Sequence, residues 1–116
     1  MPVTATDTRA RMASMANSRK QRLNSECAEL MQALPHAAAV LRSFGATRVV
    51  LFGSLAGGVF HERSDVDVAV AGLDWEQRDI AWSALSGIFR RDVDLIRMEA
   101  ASAALLAAIA ADGIEL

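Results

Sequence analysis

The sequence predicts a small α/β domain of the α+β kind, one short sheet flanked by helices with an extra helix in front. Three observations predict it. Apolar, β-branched runs recur at residues 48–52, 65–71 and 91–97, and stretches with helical apolar spacing follow Asp74 and Glu99. A length of 116 residues with 53% apolar content suits a single core. Alanine supplies much of that content and aromatics only 5%, so the core is expected to be rich in small residues and partly helical.

The leading segment, residues 1–34, reads as a helical extension and residues 35–116 as the domain proper. Met12, Ala16, Leu23, Cys27, Leu30, Met31 and Leu34 recur at roughly helical spacing, giving a helix from about Thr8 to Leu34 that is weakest near Asn24. Pro35 lacks an amide proton and is placed at the first position of a second helix, Pro35 to Phe44, closed by Gly45. Arg48 to Phe52 is the first strand.

Leu55 to Phe60 makes a helical turn, and His61-Glu62-Arg63-Ser64 a polar loop. The second strand, Asp65 to Ala71, alternates: Val66, Val68 and Val70 point one way, Asp65, Asp67, Ala69 and Ala71 the other. After Gly72, Asp74 and Gln77 have the spacing of a capping box for a helix to about Phe89, with Ile80, Ala81, Ala84, Leu85 and Ile88 inward. Trp75 and Trp82 flank that helix and read as packing residues, the rival being an edge beside a base or partner. Arg91 to Arg97 is a third strand, in which Asp92 and Asp94 share a face. A last helix from about Glu99 to Ala111 ends at Gly113, and Ile114-Glu115-Leu116 adds a short edge strand.

Charge and composition narrow the function. Residues 1–22 carry five basic side chains against Asp7, a balance of +4 that leaves −6 for the rest of a chain of net charge −2. The basic end reads as a solvated helix face rather than a nucleic-acid arm, because no aromatic residues interleave with the charges. Cys27 is the only cysteine, which excludes an internal disulfide or a cysteine metal cluster. No apolar run is long enough to span a bilayer and the start of the chain lacks a signal core, so a cytoplasmic protein is expected. His36 and His61 are assigned no catalytic role.

The chemistry lies between Val49 and Val70, with one addition. Gly53-Ser54 ends an apolar strand at a turn where backbone amides and the Ser54 hydroxyl can seat a phosphate. Asp65 and Asp67 share the next strand's polar face. Bare carboxylates so close repel each other, and a hard cation such as magnesium relieves them. Asp94, from the third strand, completes a set suited to two metal ions, and it can also accept the proton of an attacking hydroxyl. The bland alternative makes the acids solvent-face residues of a half-exposed strand.

This pattern resembles the signature of the polymerase-β-type nucleotidyltransferase superfamily. Val50-Leu51-Phe52-Gly53-Ser54, Ser64-Asp65-Val66-Asp67, Val93-Asp94-Leu95-Ile96 and Gly113-Ile114-Glu115-Leu116 resemble its minimal nucleotidyltransferase branch over residues 35–116. The resemblance implies a polymerase-β-like fold with a small mixed sheet. It implies an antitoxin that forms a hetero-oligomer with a HEPN ribonuclease toxin and transfers AMP from ATP to a toxin tyrosine. Carried onto this chain, Gly53 and Ser54 bind the triphosphate, Asp65 and Asp67 ligate two Mg2+ ions, and Asp94 is the third acid. Asp92 is the rival for that last place, but Asp94 directly precedes Leu95-Ile96 as the family's third acid precedes its apolar pair. The chain departs from the family at Leu55 and Gly57, where arginine or another polar residue is common, and keeps Gly58.

Two further readings compete: an antitoxin that neutralises by binding alone, and a nucleotidyltransferase of the antibiotic-modifying kind. The chain has no second domain to hold a large acceptor, so acceptor choice is expected to fall to a partner protein, with the leading helix as its docking element.

Overall fold

The computed structural model describes residues 5–58, 60 and 64–116. A single helix, α1 (Ala5–Ser43), leads into β1 (Arg48–Phe52), the short α2 (Gly53–Gly57) and β2 (Val66–Ala71). A 3-10 turn, Trp75–Gln77, opens α3 (Arg78–Phe89), and β3 (Val93–Arg97) follows. A second 3-10 turn, Met98–Ala100, precedes α4 (Ala103–Asp112) and β4 (Ile114–Glu115). The strands form one mixed sheet in the order β3-β2-β1-β4: β1 runs antiparallel to β2 and β4, and β2 parallel to β3. Among the described residues no helix is long and apolar enough to cross a membrane.

Alternation along the strands splits the apolar residues between two faces. Val49, Leu51, Val66, Val68, Val70, Val93 and Leu95 join Leu34, Ala38 and Leu41 of α1 and Ala81, Leu85 and Phe89 of α3 in the main core. On the other face Val50 and Ala69 meet Ile109 of α4, with Phe52, Ile96 and Leu105 around them. The second strand starts at Val66, one residue later than its pattern suggests, and β3 starts at Val93 rather than Arg91.

Pro35 does not open a second helix; it lies inside α1. Its ring and missing amide cost a helix interior about 3 kcal/mol. Leu30 and Leu34 before it, and Ala37, Ala38 and Leu41 after it, are buried in the same cluster. Each buried leucine contributes roughly 1.5–3 kcal/mol, so continuity on one face outweighs the local penalty. The expected boundary between residues 34 and 35 is therefore marked by no break in the helix.

At 1.5 Å per residue the 39 residues of α1 span about 58 Å, close to the 66 Å long axis of the molecule. The radius of gyration of 18.4 Å exceeds the roughly 13 Å of a compact domain of this length. Asn17 to Arg22 are exposed, and among the residues whose side chains are described contact with the core begins at Leu23.

Three local expectations fail in α3. Asp74 makes no side-chain capping bond, because the chain enters a 3-10 turn with an Asp74 to Gln77 backbone bond instead. Ile80 is 58% exposed, since the inward stripe is Ala81, Leu85 and Phe89, at four-residue spacing. The tryptophans are not core packing: Trp75 is 62% and Trp82 42% exposed. The Trp82 Nε1 donates to the Val93 carbonyl at 2.7 Å, and Arg78 donates to the Leu95 carbonyl at 3.3 Å. These two side chains occupy carbonyls on the free edge of β3, which blunts that edge as a template for another strand.

Candidate active site

β1 ends at the site. Phe52 is extended, Gly53 turns into the left-handed region at φ 75° and begins α2, and Gly58 ends α2 at φ 76°. Across the antiparallel ladder Phe52 faces Asp67, which brings the Gly53 backbone against that carboxylate. A Cβ at position 53 would lie 2.1 Å from the Asp67 Oδ2, so only glycine fits both the turn and the approach. Ser54 is half-buried beside it, and Leu55 is buried in the main core, so position 55 serves packing.

The parallel ladder sets Asp94 directly beside Asp67. Asp67 is half-buried, while Asp65 and Asp94 are exposed. Burial, then the charge of Asp94, then that of Asp65 push the Asp67 carboxyl above the usual aspartate range. Among the described residues no cation forms an ion pair with any of the three. Asp92 takes a different position: its backbone carbonyl accepts the Val66 amide at 3.0 Å, and its exposed side chain is not among the charges that act on Asp67. His61 and Glu62 lie outside the described residues, and His36 is exposed within α1.

The donor chemistry of Asp65, Asp67 and Asp94 fits a hard divalent cation: carboxylate oxygens only, with a half-buried charge that two like charges raise in energy. Their oxygens are not drawn together, since among the described residues no three acid, histidine or cysteine side chains form a group able to hold a metal ion. The exposed pair retains the side-chain freedom to close on one.

Arg91 supports this site and has no local signal in the sequence. It donates to the Ser64 carbonyl at 2.9 Å and to Glu26 of α1 at 3.1 Å, and its guanidinium lies 4.6 Å from the centre of the Phe60 ring. Ser64 is itself buried, so the residue before Asp65 is tied to α1 through one side chain. The partners are 27 and 65 residues away in sequence, beyond any motif.

Residues 38–116 match the family described as polymerase beta, nucleotidyltransferase. Among solved structures, the chain is similar to a toxin–antitoxin crystallised with AMP-PNP, at 30% identity over 67% of this chain and 67% of that one, with a TM-score of 0.61. It is similar to a minimal nucleotidyltransferase at 29% identity, over 75% of this chain and 95% of that one, with a TM-score of 0.65. A complex of a tri-AMPylated Shewanella oneidensis HEPN toxin with an MNT antitoxin shares the fold, at 24% identity, 74% and 70% coverage and a TM-score of 0.60. No curated protein matches the chain at a comparable level.

Proposed function

The chain belongs to the polymerase β nucleotidyltransferase family, and from that premise we propose that it is a magnesium-dependent antitoxin that transfers AMP from ATP to a tyrosine of a HEPN toxin. The observation that carries this reading is Asp67: half-buried, pressed between Gly53 and Asp94, and without a counter-ion among the described residues. A fold evolved for stability alone has no use for such a carboxylate. The AMP-PNP bound to one similar toxin–antitoxin and the AMP groups on the toxin of another support the nucleotide and the acceptor.

In the proposed reaction the Gly53 backbone and the Ser54 hydroxyl hold the triphosphate, with glycine admitting the phosphates to the main chain. Asp65, Asp67 and Asp94 hold magnesium, which when bound neutralises phosphate charge and makes the acceptor hydroxyl more acidic. The tyrosine oxygen forms a bond to the α-phosphorus, the bond from that phosphorus to the bridging oxygen breaks, and pyrophosphate leaves. Asp94, exposed on the edge strand, takes the phenolic proton. Mass spectrometry of the HEPN partner incubated with this protein, ATP and magnesium tests the reading. An AMP-sized gain that Asp65→Asn abolishes is expected; neutralisation of the toxin without any gain, surviving Asp67→Asn, refutes it in favour of an antitoxin that acts by binding.

A further inference from the structure

A groove of about 420 Å³ runs along the outer edge of β3, between the start of α3 and the segment leading into α4. Its floor is apolar, with Leu95, Ile96, Ala101 and Leu105. Its rim is aromatic and cationic. The Arg78 and Arg97 guanidiniums lie 5.9 and 5.0 Å from the centre of the Trp75 ring. That ring is 62% exposed, a large apolar surface left to water beside two guanidiniums, of which that of Arg78 also has the exposed Asp79 carboxylate at 3.7 Å. The Arg97 Nε is shut off from solvent and has no hydrogen-bond partner among the described residues. A buried cationic N–H without an acceptor is costly, and a shift of the guanidinium out toward a ligand's carboxylate in the groove would relieve that cost.

The groove's position decides which ligand. Arg97 lies three residues beyond Asp94 on β3, about 10 Å at the rise of a strand. Ile96 on the groove's floor shares a face of β3 with Asp94, two residues earlier and about 7 Å away, so the groove leads from the two guanidiniums toward the acids, although none of the three lines it. The triphosphate seat at Gly53 lies at the end of β1, on the far side of β2, also about 10 Å away by strand spacing. Nucleotide phosphates are thus engaged elsewhere. Resting on the reading above, we infer that this groove seats the acceptor polypeptide. An extended acceptor segment sets an acidic side chain against Arg78 and Arg97 and an apolar one over Leu95, Ile96 and Leu105. Its tyrosine, about three residues along, reaches Asp94. The gradient from acidic to basic along β3 fixes the direction of the segment, because its acid is repelled from Asp65, Asp67 and Asp94.

The test compares the wild-type protein with Trp75→Ala and with the double variant Arg78→Gln, Arg97→Gln, using the HEPN partner as acceptor. Trp75 is exposed, so its removal leaves the core intact, and thermal melts check both variants. The KM for the acceptor should rise about tenfold in each, with the KM for ATP and kcat at saturating acceptor within about twofold of wild type. The wild-type acceptor KM should also rise with salt, and that of the double variant should not. An unchanged acceptor KM, or an effect confined to ATP, overturns the inference; the second outcome gives the groove to the nucleotide. If the wild-type protein transfers no AMP, the reaction fails rather than the groove. Calorimetric binding of the HEPN partner then decides: a Kd weakened about tenfold in the variants supports the groove, and an equal Kd refutes it.

Discussion

Replacing Asp67 by asparagine should make the metal-free protein more stable, although it removes a residue central to the proposed site. Asp67 and Asp94 are register neighbours on parallel strands, about 4.8 Å apart, so their carboxylates stand roughly 5–6 Å from each other. Two unit charges at that separation repel by about 0.8 to 3 kcal/mol as the effective dielectric falls from water's toward 20. The exposure of Asp94 places the value near the lower limit, about 1 kcal/mol after solvent screening. Burial of Asp67 adds in the same direction. For a domain of this size the gain corresponds to a melting temperature higher by about 4 °C.

The sign follows from the direction of the shift. The folded carboxyl holds its proton more tightly than the unfolded one, so its favourable contribution is complete below the ordinary aspartate value of about 3.9. That contribution disappears as pH rises through the higher folded value. Melting curves of wild type and Asp67→Asn in EDTA should thus nearly coincide near pH 4 and separate toward pH 7, the variant being the more stable. Added magnesium should raise the wild-type melting temperature and leave the variant's nearly unchanged. Equal or lower stability of Asp67→Asn at pH 7 in EDTA would refute the account of Asp67 as a strained, uncompensated charge.

Other substitutions read other parts of the structure. Gly53→Ala should cost at least about 1–2 kcal/mol in urea denaturation, because alanine disfavours φ 75° and its Cβ displaces the Asp67 carboxylate. Arg91→Ala should cost about 2 kcal/mol and speed amide exchange at residues 64–66, since it removes the link between Ser64 and Glu26. Glu99 accepts the Gly72 amide at 2.6 Å, which holds its carboxyl below the usual range. Its contribution is present above the unfolded value of about 4.3 and lost as pH falls through the lower folded one, so Glu99→Gln should cost about 0.5 kcal/mol at pH 7 and little below pH 3. Pro35→Ala should raise stability by about 1–3 kcal/mol in the same denaturation assay, because α1 already runs through that position.

What the sequence disclosed was governed by period. In β2, Val66, Val68 and Val70 are buried while Asp67 faces the other way, and in β3 Val93 and Leu95 are buried while Asp94 is exposed. Strict alternation makes such assignments readable from a single chain. Where a local rule competed with packing, packing won: Pro35 stays inside a helix buried on both sides of it, and Asp74 yields its capping role to a 3-10 turn. Contacts across long sequence distances were not legible. Nothing near Arg91 in the sequence points to Glu26, and nothing near Trp75 shows that Arg97 reaches its ring.

The meeting of Gly53, Asp67 and Asp94 is a consequence of topology. Antiparallel pairing puts the end of β1 opposite the start of β2, and parallel pairing puts the start of β3 beside the start of β2. One end of the sheet thus collects the glycine turn and the acids, which chain order alone scatters over more than forty residues, from Gly53 to Asp94. The register is held by the buried face: a slip of one residue would drive Val66, Val68 and Val70 out of the core and the aspartates into it. The same valines that stabilise the domain therefore aim the carboxylates. Strain in the acids can persist because the cost of relieving it by a register change is several buried side chains at roughly 1.5–3 kcal/mol each, well above the repulsion of about 1 kcal/mol between Asp67 and Asp94.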